Sequence, residues 1–152
     1  MTIAGQSAPG DGITLRDHPL VVQAEDVVIR FIRSRLGDES KTESDAIWIR
    51  AGRRIILDHV SASWSVDETL SVSGNYADPG EGWYDVTVQW SIIADSLTKS
   101  LHAKGAHGYG RLVPGGRGAP PAYLPVGDDP PRGLGVVPPL RPPGPRPPPW
   151  AP

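Results

Sequence analysis

Short blocks of alternating apolar and polar residues recur along the first two thirds of the chain. Val27-Val28-Ile29-Arg30-Phe31-Ile32 aligns with Ile55-Ile56-Leu57-Asp58-His59-Val60 and with Val86-Thr87-Val88-Gln89-Trp90-Ser91, at offsets of 28 and 31 residues. A polar pair precedes each block: Glu25-Asp26, Arg53-Arg54 and Tyr84-Asp85. A second series, Ala46-Ile47-Trp48-Ile49 and Thr69-Leu70-Ser71-Val72, repeats at an offset of 23 and is followed by Gly52 and Gly74. Ile13-Thr14-Leu15 fits an earlier turn. Such β-branched runs bounded by Gly, Asp and Asn are strands. No stretch sustains the 3.6-residue apolar period of a helix.

Strands returning every 23 to 31 residues fit a solenoid with one coil per repeat. The pattern predicts an all-β, right-handed parallel β-helix, each coil stacking on the last with alternate side chains turned inward. The competing architecture is an antiparallel sandwich, whose turn signals come about every 8 to 12 residues. The longer period favours the β-helix, at about four coils over residues 1–110.

Composition divides the chain at that point. Of 18 prolines, 15 lie between Arg111 and Pro152, which also carries a net charge of +3, against −5 for residues 1–110. Proline has no N–H for a sheet ladder, so 111–152 is expected to be a disordered or polyproline-like tail. A reading-frame shift near residue 111 of a GC-rich coding sequence would produce such a segment. A genuine tail would instead suit an SH3 or WW partner. An acidic body argues against nucleic acid as partner. No apolar run reaches the roughly 20 residues of a membrane span. Residues 1–12 lack the basic and apolar regions of a signal peptide, so the expectation is an intracellular chain or a truncated N-terminus. The absence of Cys excludes disulfides and thiolate metal sites.

Carboxylates gather at Asp38-Glu39, Glu43 and Asp45, at Asp58, and at Asp67-Glu68. One coil displaces a side chain by about 4.8 Å. Glu43 and Asp45 stand 24 and 22 residues before Asp67, so stacking would bring them together. Such a ridge suits Ca²⁺, which takes hard oxygen ligands. A solvated acidic turn is the alternative.

Five motifs in this order carry a resemblance: Asp45-Ala46-Ile47, Leu57-Asp58-His59, Asp67-Glu68-Thr69-Leu70, Val86-Thr87-Val88-Gln89-Trp90, and His102-x-Lys104-Gly105-x-His107-Gly108-Tyr109-Gly110. Over residues 2–110 the chain resembles the pectate lyase family, in particular its pectate trisaccharide-lyase branch. The resemblance implies a parallel β-helix and Ca²⁺-dependent β-elimination of pectate (polygalacturonate) by a secreted parent protein. It implies Glu43, Asp45 and Asp67 as calcium ligands. The family often has a further acid where Ser71 stands, so the site is one charge poorer or Glu68 substitutes. Lys104 would bind the substrate carboxylate, with Lys99 as competitor. His102 and His107 would contact sugar hydroxyls or pack in the turn. Asp58-His59 is expected to be structural, and Trp48, Trp64, Trp83 and Trp90 to pack in the core or rim rather than stack on sugar. The family's proton-abstracting base is an Arg on a later coil, and none of Arg111, Arg117, Arg132, Arg141 or Arg146 is assigned that role. The chain is therefore expected to be an inactive fragment and a monomer if folded. A non-catalytic uronate-binding β-helix is the alternative.

Overall fold

A computed structural model describes residues 1–74, 82–112 and the backbone of 135–136. The strands are β1 (Thr2–Ala4), β2 (Ile13–Arg16), β3 (Leu20–Gln23), β4 (Val27–Arg30), β5 (Ile32–Arg35), β6 (Ile47–Asp58), β7 (Ser61–Ser63), β8 (Glu68–Val72), β9 (Trp83–Gln89), β10 (Ile92–Ile93), β11 (Tyr109–Leu112) and β12 (Gly135–Val136). The helical element among the described residues is a 3-10 turn over Gly5–Ser7.

The strands stack in parallel on three faces of a β-solenoid of between three and four turns. One face carries β1, β4, the second half of β6, and β9. The next carries β2, β5, β7 and β10. The third carries β3, the first half of β6, β8 and β11. The pairings Val27↔Ile55 and Ile55↔Val86 reproduce the offsets of 28 and 31. Ile47↔Leu70 reproduces the offset of 23, and Ile13↔Ile32 seats the earlier turn. Alternate residues fill one continuous core: Val27 and Ile29, Ile47 and Ile49, Ile55 and Leu57, Leu70 and Val72, Val86 and Val88 are all buried.

The six-residue blocks bend where the repeat alone suggests continuous strand. Phe31, His59 and Trp90 each take a left-handed conformation, with φ between 50° and 54°. Such residues cost about 1–3 kcal/mol apiece and persist only when their surroundings fix them. Here the Phe31 N–H reaches Asp58 O at 3.2 Å and the His59 N–H reaches Gln89 O at 3.1 Å, tying each corner to the next coil. The three rings also stack along the solenoid, Phe31 on His59 at 4.6 Å and His59 on Trp90 at 6.2 Å. Alternation restarts past the bend, so Ile32 and Val60 face inward again.

The second corner is made by Gly52, which lets β6 leave one face for the next. Its φ is +118°, and a Cβ there would lie 2.0 Å from Ala24 O, so a side chain has no room. The third corner carries the connections 36–46, 64–67 and 94–108. Strand structure also runs two residues past Gly110, to Leu112. Gly135–Val136 pairs antiparallel with β10, a short element that the Pro-rich composition did not suggest. The remainder of the expected disordered tail, 113–134 and 137–152, lies outside the described residues. Among the described residues no helix is long and apolar enough to cross a membrane.

Candidate functional site

The connections 36–46, 64–67 and 94–108 meet at one corner. Stacking of consecutive coils aligns the approach to β6 with the approach to β8: Ser44 O accepts the Asp67 N–H at 3.1 Å, and Ala46 N–H donates to Glu68 O at 3.2 Å. Asp45 thereby faces Asp67 and Glu68, as the 22-residue spacing anticipates. Oxygens of Asp45, Asp67 and Glu68 all lie within 4.8 Å of one another.

Three carboxylates this close repel, and their surroundings tune them differently. Asp45 is buried, and burial pushes its carboxyl up from the usual range, with the charge of Asp67 adding to the rise. Hydrogen bonds oppose this: Asp45 accepts from the Glu68 N–H at 3.1 Å and from the Ser71 hydroxyl. Burial and then the charges of Asp67 and Asp45 raise Glu68 to about 7. Asp67 Oδ1 is buried and accepts no hydrogen bond among the described residues. His107 Nε2 comes within 2.7 Å of it and His102 Nε2 within 3.5 Å, but neither ring is aligned to donate. A buried anionic oxygen without a donor is costly. An oxygen-seeking cation would remove both that cost and the mutual repulsion, and three hard carboxylates suit Ca²⁺. The residues present therefore fit the ion that the resemblance implies.

Glu43 does not join this cluster. Its Oε2 accepts the Ala103 N–H at 2.8 Å and its Oε1 lies 3.3 Å from His102 Nε2. The spacing of 24 brings Glu43 to the same corner but outside the group formed by Asp45, Asp67 and Glu68. His102 is buried, and its Nδ1 accepts the Lys104 N–H at 3.0 Å. In the neutral ring that leaves the proton on Nε2, so His102 presents a donor to the carboxylates rather than a lone pair to a metal. Its ring stacks on His107 at 3.8 Å with 18° between planes. Parallel rings cannot aim two in-plane lone pairs at one ion, so the pair packs beside the oxygens.

Lys104 and Lys99 are both exposed and make no ion pair among the described residues. Lys104 belongs to the turn that closes over the carboxylates; Lys99 lies earlier in the same connection. Asp58 and His59 are removed from this corner. Asp58 is buried, and its carboxyl is lowered: burial opposes this, but hydrogen bonds from His59, Gln89 and Arg30 outweigh it. Arg30 donates at 2.7 Å, which braces successive coils. Trp83 is in the core. Trp64 and Trp90 are about half exposed, and Trp48 lies on the outer face of β6, donating from Nε1 to Ser73 O at 2.9 Å.

Sequence reasoning missed two contributors. Tyr109 sets its ring edge-on to His107 at 4.5 Å, and Arg50 lies over the Trp48 ring at 5.3 Å. The first could have been sought in the His-Gly-Tyr-Gly turn. The second follows from the i, i+2 rule for one face of a strand.

No family model matches the chain. It is 44% identical over 98 residues to a probable pectate lyase C of Aspergillus fumigatus, covering 64% of this chain and 22% of that protein. A probable pectate lyase C of Neosartorya fischeri matches to the same extent. One from Aspergillus terreus is 40% identical over 119 residues, covering 78% of this chain and 25% of the relative. The chain thus spans about a quarter of the length of the curated relatives it matches. Identity of this order, carried on a parallel β-solenoid with its carboxylates gathered at one corner, makes the chain a relative of the pectate lyase family.

Proposed function

We propose that the chain is the cation- and uronate-binding part of a pectate lyase-like protein whose parent activity is Ca²⁺-dependent β-elimination of polygalacturonate. The observation that carries this reading is the convergence of Asp45, Asp67 and Glu68 with a buried, donorless Asp67 Oδ1. Asp45, Asp67 and Glu68 would hold the Ca²⁺, whose positive charge would acidify the carbon that loses its proton.

The chain's own residues supply holding and orientation. Asp45, kept in place by Ser71 and the Glu68 N–H, is the rigid member of the ligand set. Glu68 is less buried than Asp45 and gives up its proton near neutrality, when the ion arrives. Lys104, exposed on the adjoining turn, pairs with a second substrate carboxylate; Lys99 is the other candidate. Exposed cations here let an acidic body hold a polyanion, since the charge that matters is local. In the elimination itself the C5 proton leaves, the C4–oxygen bond breaks and a C4–C5 double bond forms. The base that takes the proton is not assigned to any residue of this chain, and we propose that the chain binds pectate without cleaving it. An extracellular polymer as substrate places the parent protein outside the cell.

Titration calorimetry with trigalacturonate, with Ca²⁺ or with EGTA, combined with ultraviolet detection of unsaturated product, tests this reading. Binding that requires Ca²⁺ without product is the expected result. Product formation would show that the chain holds its own base. If neither Ca²⁺ nor the oligomer binds, the corner is only a solvated acidic turn.

A further inference from the structure

We propose that Glu43 and His102 are positioning residues for Lys104, and that Glu43 is not a ligand of the cation. The inference rests on the reading above of Lys104 as a uronate contact.

The turn carrying Lys104 is fastened at three consecutive amides. Ala103 N–H donates to Glu43 Oε2 at 2.8 Å. Lys104 N–H donates to His102 Nδ1 at 3.0 Å. Gly105 N–H donates to His102 O at 2.9 Å. The backbone of an exposed turn is thus held by one carboxylate and one buried imidazole, while the Lys104 side chain projects into solvent. Glu43 stands 60 residues away from Ala103 in sequence, so this bond ties the loop before β6 to the loop before β11 across two coils. His102 completes the brace. Its side chain is 1% exposed, and its Nε2 faces both Glu43 Oε1 and Asp67 Oδ1, at 3.3 and 3.5 Å. Stacking on His107 fixes the ring plane.

The arrangement has a functional consequence. A lysine on a four-carbon stem is a flexible point charge. Its reach is fixed only by where its Cα sits, and loosening the turn by about 1 Å costs productive geometry. The same His102 ring touches the Glu43 brace and the cation cluster. The Lys104 Cα is thereby held at a set offset from the carboxylate cluster, which limits the reach of its ammonium to a second carboxylate of the same uronate chain.

The test uses the full chain, with Ca²⁺ alone and trigalacturonate as probes, comparing Glu43→Ala, Glu43→Gln, Lys104→Ala and Asp67→Asn. Glu43→Ala is expected to leave Ca²⁺ affinity within about twofold and to weaken trigalacturonate about tenfold, the scale of one charge-assisted hydrogen bond. The double variant with Lys104→Ala should be little worse than Lys104→Ala alone, because both act through one contact. Glu43→Gln keeps a carbonyl acceptor for Ala103 N–H and should retain most of the affinity. If Glu43→Gln instead weakens Ca²⁺ as much as Asp67→Asn does, Glu43 is a ligand and the proposal is overturned. Hydrogen exchange separates this failure from failure of the functional reading. With no ligand present, Glu43→Ala should speed exchange at Ala103 and Lys104 at least about tenfold while leaving β6 and β8 unchanged. Unchanged exchange at those two amides would also overturn the brace.

Discussion

Ser71 shows how much one side chain decides at this corner. It is buried, and its hydroxyl donates to Asp45 where related lyases often carry a further acid. Replacing Ser71 by Asp adds a fourth anionic ligand group. Calcium affinity should rise about tenfold, since ligand charge tunes such sites. Stability in EGTA should fall by ~2 kcal/mol, the scale of an uncompensated buried charge interaction. Calorimetry and urea unfolding read the two effects, and unchanged calcium affinity would place Ser71 off the cation. Glu68 gives a pH dependence with a definite sign. Its carboxyl titrates at 4.5 when unfolded and at about 7 when folded, and Asp45 is shifted the same way. The folded state binds the proton more tightly, so the protonated protein is the more stable one. The thermal midpoint in EGTA should decline as pH rises from about 4.5 through about 7 and then level off. A shallower decline in Glu68→Gln than in the parent chain would identify Glu68 as a source, with Asp45 supplying the remainder. These residue identities were legible in the sequence. Their environments were not, because burial and hydrogen bonding depend on neighbours that stacking supplies.

At the scale of elements, β6 is the piece on which two faces depend. Its first half pairs with β3 and β8, its second with β4 and β9, and Gly52 makes the bend. Gly52→Ala would drive a Cβ against Ala24 O in a backbone region that L residues avoid, so a loss of about 3 kcal/mol or more is expected in urea unfolding. Gly105 provides the contrast: its φ is +83°, but nothing lies within 4 Å of the position a Cβ would take. Gly105→Ala should cost only about 1 kcal/mol, the backbone contribution alone. Strand existence and the registers at offsets of 28, 31 and 23 were readable because a one-residue slip would turn each block's apolar side chains out of the core. The corners were harder. Phe31 and Trp90 are apolar like strand residues, yet both are turned outward at left-handed bends. Nothing in an apolar side chain announces that conformation; coil-to-coil hydrogen bonds and ring stacking impose it.

For the whole molecule, a solenoid makes each coil depend mainly on its neighbours. The Asp45, Asp67 and Glu68 cluster joins two successive coils, so an ion bound there would staple them together. Ca²⁺ at a hundredfold excess over its Kd should stabilise the fold by about 2.7 kcal/mol. That gain should vanish in Asp67→Asn, as followed by the thermal midpoint in strand-type circular dichroism. A midpoint indifferent to Ca²⁺ in the parent chain would mean that the coils are not bridged there.

Sequence alone sufficed for the parallel stack, for the registers at offsets of 28, 31 and 23, and for the approach of Asp45 to Asp67, because in a solenoid residues one coil apart along the chain become neighbours in space. It also sufficed for the family resemblance, since the motifs lie on those same strands. Only the tertiary structure decided that Glu43 turns away to Ala103, that His102 Nδ1 accepts the Lys104 N–H, and that Asp67 Oδ1 is left without a donor among the described residues. Those groups sit on, or are framed by, connections of unequal length at one corner. There no repeat relates one loop to the next, and the contacts are set by how the loops pack together.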